Sequence, residues 1–179
     1  MKNLVNIGKF LALVLRHKPE ALRIKLDKAG WISVDTLLEA MDEHGKIIDK
    51  SLLDEVVATD NKGRFEYSPD GTKIRACQGH SIKDVDLGLE PKDPPETLYH
   101  GTATRFEDSI HREGIKPGSR LYVHLSWDID TATKVGSRHG KPVVLTVDAG
   151  KMHRDGYEFF LSNNNVWLTK SVPSQYLSD

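Results

Sequence analysis

Apolar and polar positions follow two different periods along this chain, and the change of period divides it. Leu4, Ile7, Leu11 and Val14, joined by Phe10 and Leu15, recur at helical spacing over residues 4–15. The stretch "DKAGWIS" (27–33) reads as a turn and a short extended piece. Ser33 can then cap a second helix with the stripe Val34, Leu37, Leu38 and Met41. "SLLD" (51–54) has the form of a capping box and predicts a third helix opening there, with Leu52, Leu53, Val56 and Val57 on its apolar side. Within "RFEYSPDGTKIRAC" (64–77) two alternating runs flank Ser-Pro-Asp-Gly and predict a β-hairpin. Three helices followed by a hairpin describe a winged-helix-like module.

The period then breaks. "GLEPKDPPETL" (88–98) has three prolines, three acidic residues and no repeat, and reads as a linker. Beyond it, "TLYHGTA" (97–103), "LYVHLS" (121–126), "PVVLTVDA" (142–149), "YEFFLS" (157–162) and "VWLTKSV" (166–172) read as strands. "RFEDSIHREG" (105–114), closed by glycine, and "DIDTATKVGSRHG" (128–140) read as two short helices. The expected class is α+β, divided into 1–87, a linker at 88–97, and 98–179.

Composition narrows the function classes. With 38% hydrophobic and 28% charged residues in 179, this is ordinary globular composition. No apolar run approaches the ~20 residues of a membrane span, and the start "MKNLVNIGKF" lacks a secretory pattern. A single cysteine, Cys77, excludes an internal disulfide framework and a multi-cysteine zinc site. A cytoplasmic monomer is the expectation. Net charge is −1 and is shared evenly between the halves, so a polyanion must be held by a local cluster.

The usual catalytic signatures are missing: there is no G-x-S-x-G, Walker A loop, G-x-G-x-x-G or H-E-x-x-H. None of the eight histidines pairs with another at i+3 or i+4, so a metal site on one helix face is not expected. What remains is a set of arginines and histidines at segment ends. Arg16 and His17 close the first helix, just before Pro19. On their own they are explained by the helix dipole, which favours a C-terminal cation by ~0.3–1 kcal/mol. Arg64 opens the hairpin and shares a face with Glu66, and Lys73 and Arg75 share a face of its return strand, so the wing can present a cationic face. Arg120 precedes one strand and His100 ends another. Arginine suits phosphate because its planar fork donates two parallel hydrogen bonds and keeps its charge.

"LRHKP" (15–19), "DKAGWISVDTLL" (27–38), "NKGRFEYS" (61–68), "IRACQGHS" (74–81), "LYHGT" (98–102), "RLYVHLS" (120–126) and "DGYEFFLSNNNVWLT" (155–169) together resemble the RNA 2′-phosphotransferases. These are the NAD-dependent family that includes the tRNA-splicing 2′-phosphotransferases. The resemblance runs through nearly the whole chain, in order. It implies an N-terminal winged-helix RNA lobe and a C-terminal ADP-ribosyltransferase-like lobe that binds NAD as co-substrate, without metal. It also implies a two-step reaction. An internal RNA 2′-phosphate attacks the anomeric carbon of the NAD ribose and expels nicotinamide. A ribose hydroxyl then attacks that phosphorus, giving 2′-OH RNA and ADP-ribose 1″,2″-cyclic phosphate.

The resemblance carries the family's Arg-His-Arg-Arg set onto Arg16, His17, Arg64 and Arg120. Arg16 and Arg64 are expected to grip the phosphate, and Arg120 to reach either the pyrophosphate or the phosphate in transfer. His17 either orients the phosphate or handles a proton in the second step. For NAD it implies His100 on a ribose hydroxyl, the Gly101 backbone on the nicotinamide amide, and Thr102 toward the adenosine ribose. Ser126 lines the nicotinamide pocket, and Gly114 and Ile115 border the adenine. Tyr122 stands where the family commonly has histidine; alternation puts it on one side with His124 without choosing between them. Lys18 is a peripheral phosphate contact or solvated, and Arg75, Gln78 and His80 either touch RNA or hold the lobes together. The late strand has Val166 where protein-modifying ADP-ribosyltransferases often have glutamate, which disfavours that activity. Two other activities fit less well: ADP-ribosylation of terminal phosphates, and a silent RNA-binding module.

Overall fold

The computed structural model describes residues 4–179, folded as two compact units, one ending at Gly88 and the other beginning at Leu89. In the first unit α1 (Leu4–Arg16) leads through a one-turn 3-10 helix at Pro19–Leu22 into β1 (Ile32–Ser33), α2 (Val34–Glu43), α3 (Lys50–Thr59), β2 (Phe65–Tyr67) and β3 (Lys73–Ala76). The strands form an antiparallel sheet in the order β1-β3-β2. The core is the apolar stripe of each helix, with Leu11, Leu15, Leu37, Met41, Leu53 and Ile74 fully enclosed. Ser33 caps α2 by accepting from the Thr36 N–H. The third helix opens earlier than the capping box at Ser51 predicts. Its cap is Asp49, whose carboxylate takes the Leu52 N–H at 2.8 Å, and Lys50 pairs with Asp54 one turn on. An aspartate there supplies a charged acceptor to the helix N-terminus, which serine cannot.

The second unit contains β4 (Leu98–Ala103), α4 (Thr104–Glu113), β5 (Val123–Leu125), α5 (Ile129–Ser137), β6 (Pro142–Val147), α6 (Ala149–Arg154), β7 (Phe159–Leu161), β8 (Trp167–Thr169) and β9 (Leu177–Ser178). Two antiparallel sheets result, β4-β6-β9 and β5-β8-β7, around a core that includes Leu98, Val147, Met152 and Phe159. The α+β class is what the chain adopts. The strand expected over 142–149 stops at Val147 because Asp148 caps α6, its carboxylate accepting from the Lys151 N–H. Helix α6 and strand β9 are additions to the elements expected from the sequence. Among the described residues, no helix is long and apolar enough to cross a membrane.

Candidate active site

In the first unit, α1 places Arg16 and His17 where the helix ends. The His17 and Lys18 N–H groups both donate to the Leu13 carbonyl, at 3.0 and 2.9 Å, and Pro19 then opens the 3-10 turn. The turn 79–81 packs against this corner. Gly79 has φ +91°, and a Cβ there would lie 3.2–3.4 Å from Nε, Cζ and Cδ of Arg16. Glycine therefore serves both the backbone conformation and the close approach to the arginine stem. Ser81 bonds twice: its N–H donates to the Arg16 carbonyl at 2.9 Å, and its hydroxyl pairs with His17 Nδ1 at 2.9 Å. Neither Gly79 nor Ser81 is a residue that the sequence singles out, although both lie inside "IRACQGHS".

Arg64 is held by Asp60. The guanidinium donates from Nε and an Nη to the carboxylate at 3.0 and 2.8 Å, and the Arg64 N–H donates to the same group at 2.7 Å. Burial pushes the Asp60 carboxyl upward, but these bonds and the arginine charge outweigh it and leave the group below its usual range. The same Nη2 that donates to Asp60 faces α1, where a Cβ on Gly8 would come 3.0 Å from it. The helix that ends in Arg16 and His17 is thus also the wall on which Arg64 rests. The sequence signal for Asp60 is its position four residues before Arg64 across "NKG".

The expected cationic face on the hairpin is not there, because its charges are neutralised pairwise. Arg75 faces Glu66 across the β2–β3 ladder and donates to it at 2.6 Å. Its guanidinium lies 4.3 Å above the Trp31 ring and donates to the Ala29 and Leu87 carbonyls. These contacts fasten three segments of the first unit and lie wholly within it, so they do not join the lobes. Gln78 and His80 are also buried. Neither ring nitrogen of His80 nor the Gln78 side-chain oxygen has a hydrogen-bond partner among the described residues. Burial, and then the charges of Arg16, Arg75 and His17, push the His80 imidazole down to about 4, so it is neutral near pH 7. Burial also pushes the Cys77 thiol up to about 12, so it is no nucleophile. Lys18 is exposed.

In the second unit, β4 and β5 touch at one bridge, where Tyr99 and Ser126 exchange two main-chain bonds of 2.8 Å, and then part. On its other edge β4 is paired throughout with β6, Gly101 opposite Val144. By the alternation of antiparallel pairing, the Gly101 N–H and carbonyl point to the same edge as those of Tyr99, into the opening between the strands. A Cβ on Gly101 would lie 1.7 Å from the Ala132 carbonyl oxygen and 3.0 Å from the Gly136 nitrogen. The residue is glycine because the backbone of α5 packs directly on the strand. Thr102 is buried at the same contact, its backbone against Gly136.

His100 Nδ1 approaches the His124 carbonyl at 3.4 Å, spanning this opening. Burial lowers its affinity for a proton and outweighs the stabilising carbonyl, and the neighbouring His139 lowers it further. Arg120 Nη1 donates to His124 Nδ1 at 2.8 Å, so the two form a pair with the imidazole as acceptor. The Tyr122 ring packs against Phe160 at 5.6 Å between centroids. His124 and Tyr122 thus have different neighbours, though alternation gave them one side. Gly114 and Ile115 are accounted for by packing. Gly114 caps α4 with φ +79°, a Cβ there would lie 2.3 Å from the Val172 oxygen, and Ile115 bridges to Val172 inside the core.

Comparison with known proteins bears on the whole chain. A family described as "RNA 2'-phosphotransferase, Tpt1 / KptA family" matches residues 2–171. A relative from Flavobacterium johnsoniae named "Probable RNA 2'-phosphotransferase" is 54% identical over 172 residues, covering 96% of this chain and 94% of its own. A relative from Agrobacterium fabrum with the same name is 55% identical over 171 residues, covering 96% and 91%. One from Escherichia coli O6:K15:H31, also so named, is 52% identical over 176 residues, covering 98% and 96%.

Proposed function

The chain belongs to the RNA 2'-phosphotransferase, Tpt1 / KptA family, and from that premise we propose that it transfers an internal RNA 2′-phosphate to NAD. The observation that carries the phosphate half is the construction around α1. The helix ends in Arg16 and His17, and its Gly8 face receives Arg64; Ser81 holds His17, Asp60 holds Arg64, and Gly79 packs on the Arg16 stem. Such an array is ready for a dianionic monoester, because its donors need no reorganisation when charge concentrates on phosphate oxygens. Arg16 and Arg64 hold the phosphate oxygens, each contributing forked, permanently charged donors. His17 lies beside them and exchanges the proton of the second step. The order of helices and hairpin supports a winged-helix-like RNA lobe over 1–87, followed by a linker at 88–97.

The opening beside β4 is the support for NAD. A main-chain N–H and carbonyl on one strand edge left unpaired by the sheet suit a carboxamide, which needs one acceptor and one donor, and Gly101 supplies both. His100, neutral and lodged at the same opening, can bond a ribose hydroxyl, and Ser126 closes the opening at the bridge. Arg120, steadied on His124, reaches toward the diphosphate or the phosphate in transfer. NAD supplies, as co-substrate, an electrophilic ribose carbon with nicotinamide as leaving group. Residues 98–179 are then an ADP-ribosyltransferase-like lobe.

The test uses a short RNA carrying one internal 2′-phosphate, incubated with and without NAD and followed by gel mobility and mass spectrometry. NAD-dependent loss of the phosphate, with release of nicotinamide and cyclic-phosphorylated ADP-ribose, is the expected result. RNA that stops at the ADP-ribosylated stage would favour a terminal-phosphate modifier instead. No change with folded protein would leave RNA binding alone.

A further inference from the structure

We propose that Ser81 is the positioning residue for His17: its hydroxyl fixes the imidazole through Nδ1, assigns proton exchange to Nε2, and keeps the ring anchored in both protonation states. The inference rests on the 2′-phosphotransferase reading for its chemistry. Its geometry stands independently, in the first unit.

The contact is a two-point clamp. Ser81 N–H to the Arg16 carbonyl fixes the turn on the last turn of α1, and Ser81 Oγ to His17 Nδ1 fixes the ring from the same residue, both at 2.9 Å. Gly79, at φ +91° against the Arg16 stem, lets the turn come this close. One short turn therefore sets the relative placement of the arginine and the histidine, a coupling that the helix alone does not provide. A side chain following the end of a helix has rotamer freedom, whereas His17 is tied to a residue 64 positions away.

The chemistry of the tie is specific. A carboxylate at Nδ1 would favour the imidazolium and hold the ring charged. A hydroxyl accepts from Nδ1–H whether or not Nε2 carries a proton, so it orients the ring in both states. In the second step the attacking ribose oxygen forms its bond to phosphorus while the RNA 2′ oxygen loses its own. The proton of the attacking hydroxyl passes to Nε2, and from there to the departing 2′ oxygen. Nδ1 keeps its proton and its bond to Ser81 throughout. Charged and titratable groups near His17 include Arg16 on its own helix, Lys18 next in the chain, and His80 in the clamping turn. His80 is also within electrostatic reach of Arg75 and stays neutral down to about pH 4.

The experiment compares the wild type, Ser81→Ala and Ser81→Thr in full-length protein. Each step is timed separately on 2′-phosphorylated RNA with NAD, across pH. Imidazole titrations are also followed by NMR in the free protein. Ser81→Ala removes only the hydroxyl and leaves the main-chain bond to Arg16, so its melting temperature should match wild type. The second step should slow roughly ten- to hundredfold with little change in KM, the loss of a hydrogen bond to a charged group. The His17 titration and the acid limb of the rate profile should move together to lower pH by roughly half to one unit, because the imidazolium loses its acceptor. Ser81→Thr should restore both. A Ser81→Ala enzyme with wild-type second-step rate, pH profile and His17 titration overturns the proposal, and so does a slowed enzyme that threonine does not rescue. If the wild type itself shows no NAD-dependent dephosphorylation, the functional reading fails, and the His17 titration still decides the Ser81 contact.

Discussion

Arg64 in the first unit and Gly101 in the second both lie against a helix, but the helix does different work in each. Beside Arg64, α1 offers a bare glycine surface, and the guanidinium is fixed chiefly by the Asp60 carboxylate. Beside Gly101, the α5 backbone presses on the strand with no side chain between, and the strand's free edge follows from the sheet pairing. The first arrangement spends charge pairs to aim cations at an anion. The second uses backbone shape to present an N–H and a carbonyl. Side chains can yield by tenths of an ångström, and packed backbones cannot. The same substitution, glycine to alanine, should therefore damage folding in one unit and activity in the other.

Gly101→Ala carries the largest effect. Its Cβ would meet the Ala132 carbonyl oxygen at 1.7 Å, far inside contact distance, so either β4 or α5 must shift. Overpacking of this kind costs about 3 kcal/mol or more. Chemical denaturation should show that loss, and NAD should no longer raise the melting temperature. Wild-type stability in this variant would show that the strand and helix are not in rigid backbone contact.

His80 comes next, and it tests whether the first unit tolerates a buried neutral base among cations. Its folded pKa is depressed, so the unfolded chain takes up a proton that the folded chain refuses. Stability from this group is complete above about pH 6.5 and is lost as the pH falls toward 4. The window corresponds to about 3 kcal/mol by linkage, an order-of-magnitude figure. Denaturation of wild type and His80→Leu across that range should show the wild type losing stability that the variant keeps. Parallel curves would mean that His80 finds an acceptor or water on protonation.

The sequence carried the fold's outline because periodicity reports which face is buried. Helices α1, α2, α4 and α5 and the hairpin all appear near their expected positions. It misplaced the start of α3 because Ser51 and Asp49 are both good caps, and only the structure shows which carboxylate or hydroxyl meets the free N–H. It missed α6, a six-residue helix too short to show a period. For the site, the arginines and histidines were legible as residue types at segment ends, and the family resemblance supplied their roles. Their partners were not. Asp60, Gly8, Gly79 and Ser81 act through contacts that depend on tertiary approach, and so does the pairing of Arg75 with Glu66 across the ladder.

Gly8→Ala is the smallest and most discriminating change. Alanine inside α1 should favour the helix by about 0.5–1 kcal/mol. Its Cβ would arrive 3.0 Å from Arg64 Nη2, a distance that requires the guanidinium to retreat by a few tenths of an ångström. The guanidinium can retreat only by straining its bonds to Asp60, at 3.0 and 2.8 Å. Stability should hold or rise slightly while turnover falls severalfold, roughly 1 kcal/mol of transition-state stabilisation. Asp60→Asn provides the scale, because it removes the charge that anchors Arg64 and should cost about tenfold or more. In the double variant the two losses should not add, since both act through the position of one guanidinium. Steady-state kinetics on 2′-phosphorylated RNA, paired with denaturation curves, separates the two quantities. Strict additivity would mean that Gly8 and Asp60 act on turnover independently and that α1 does not set where Arg64 points.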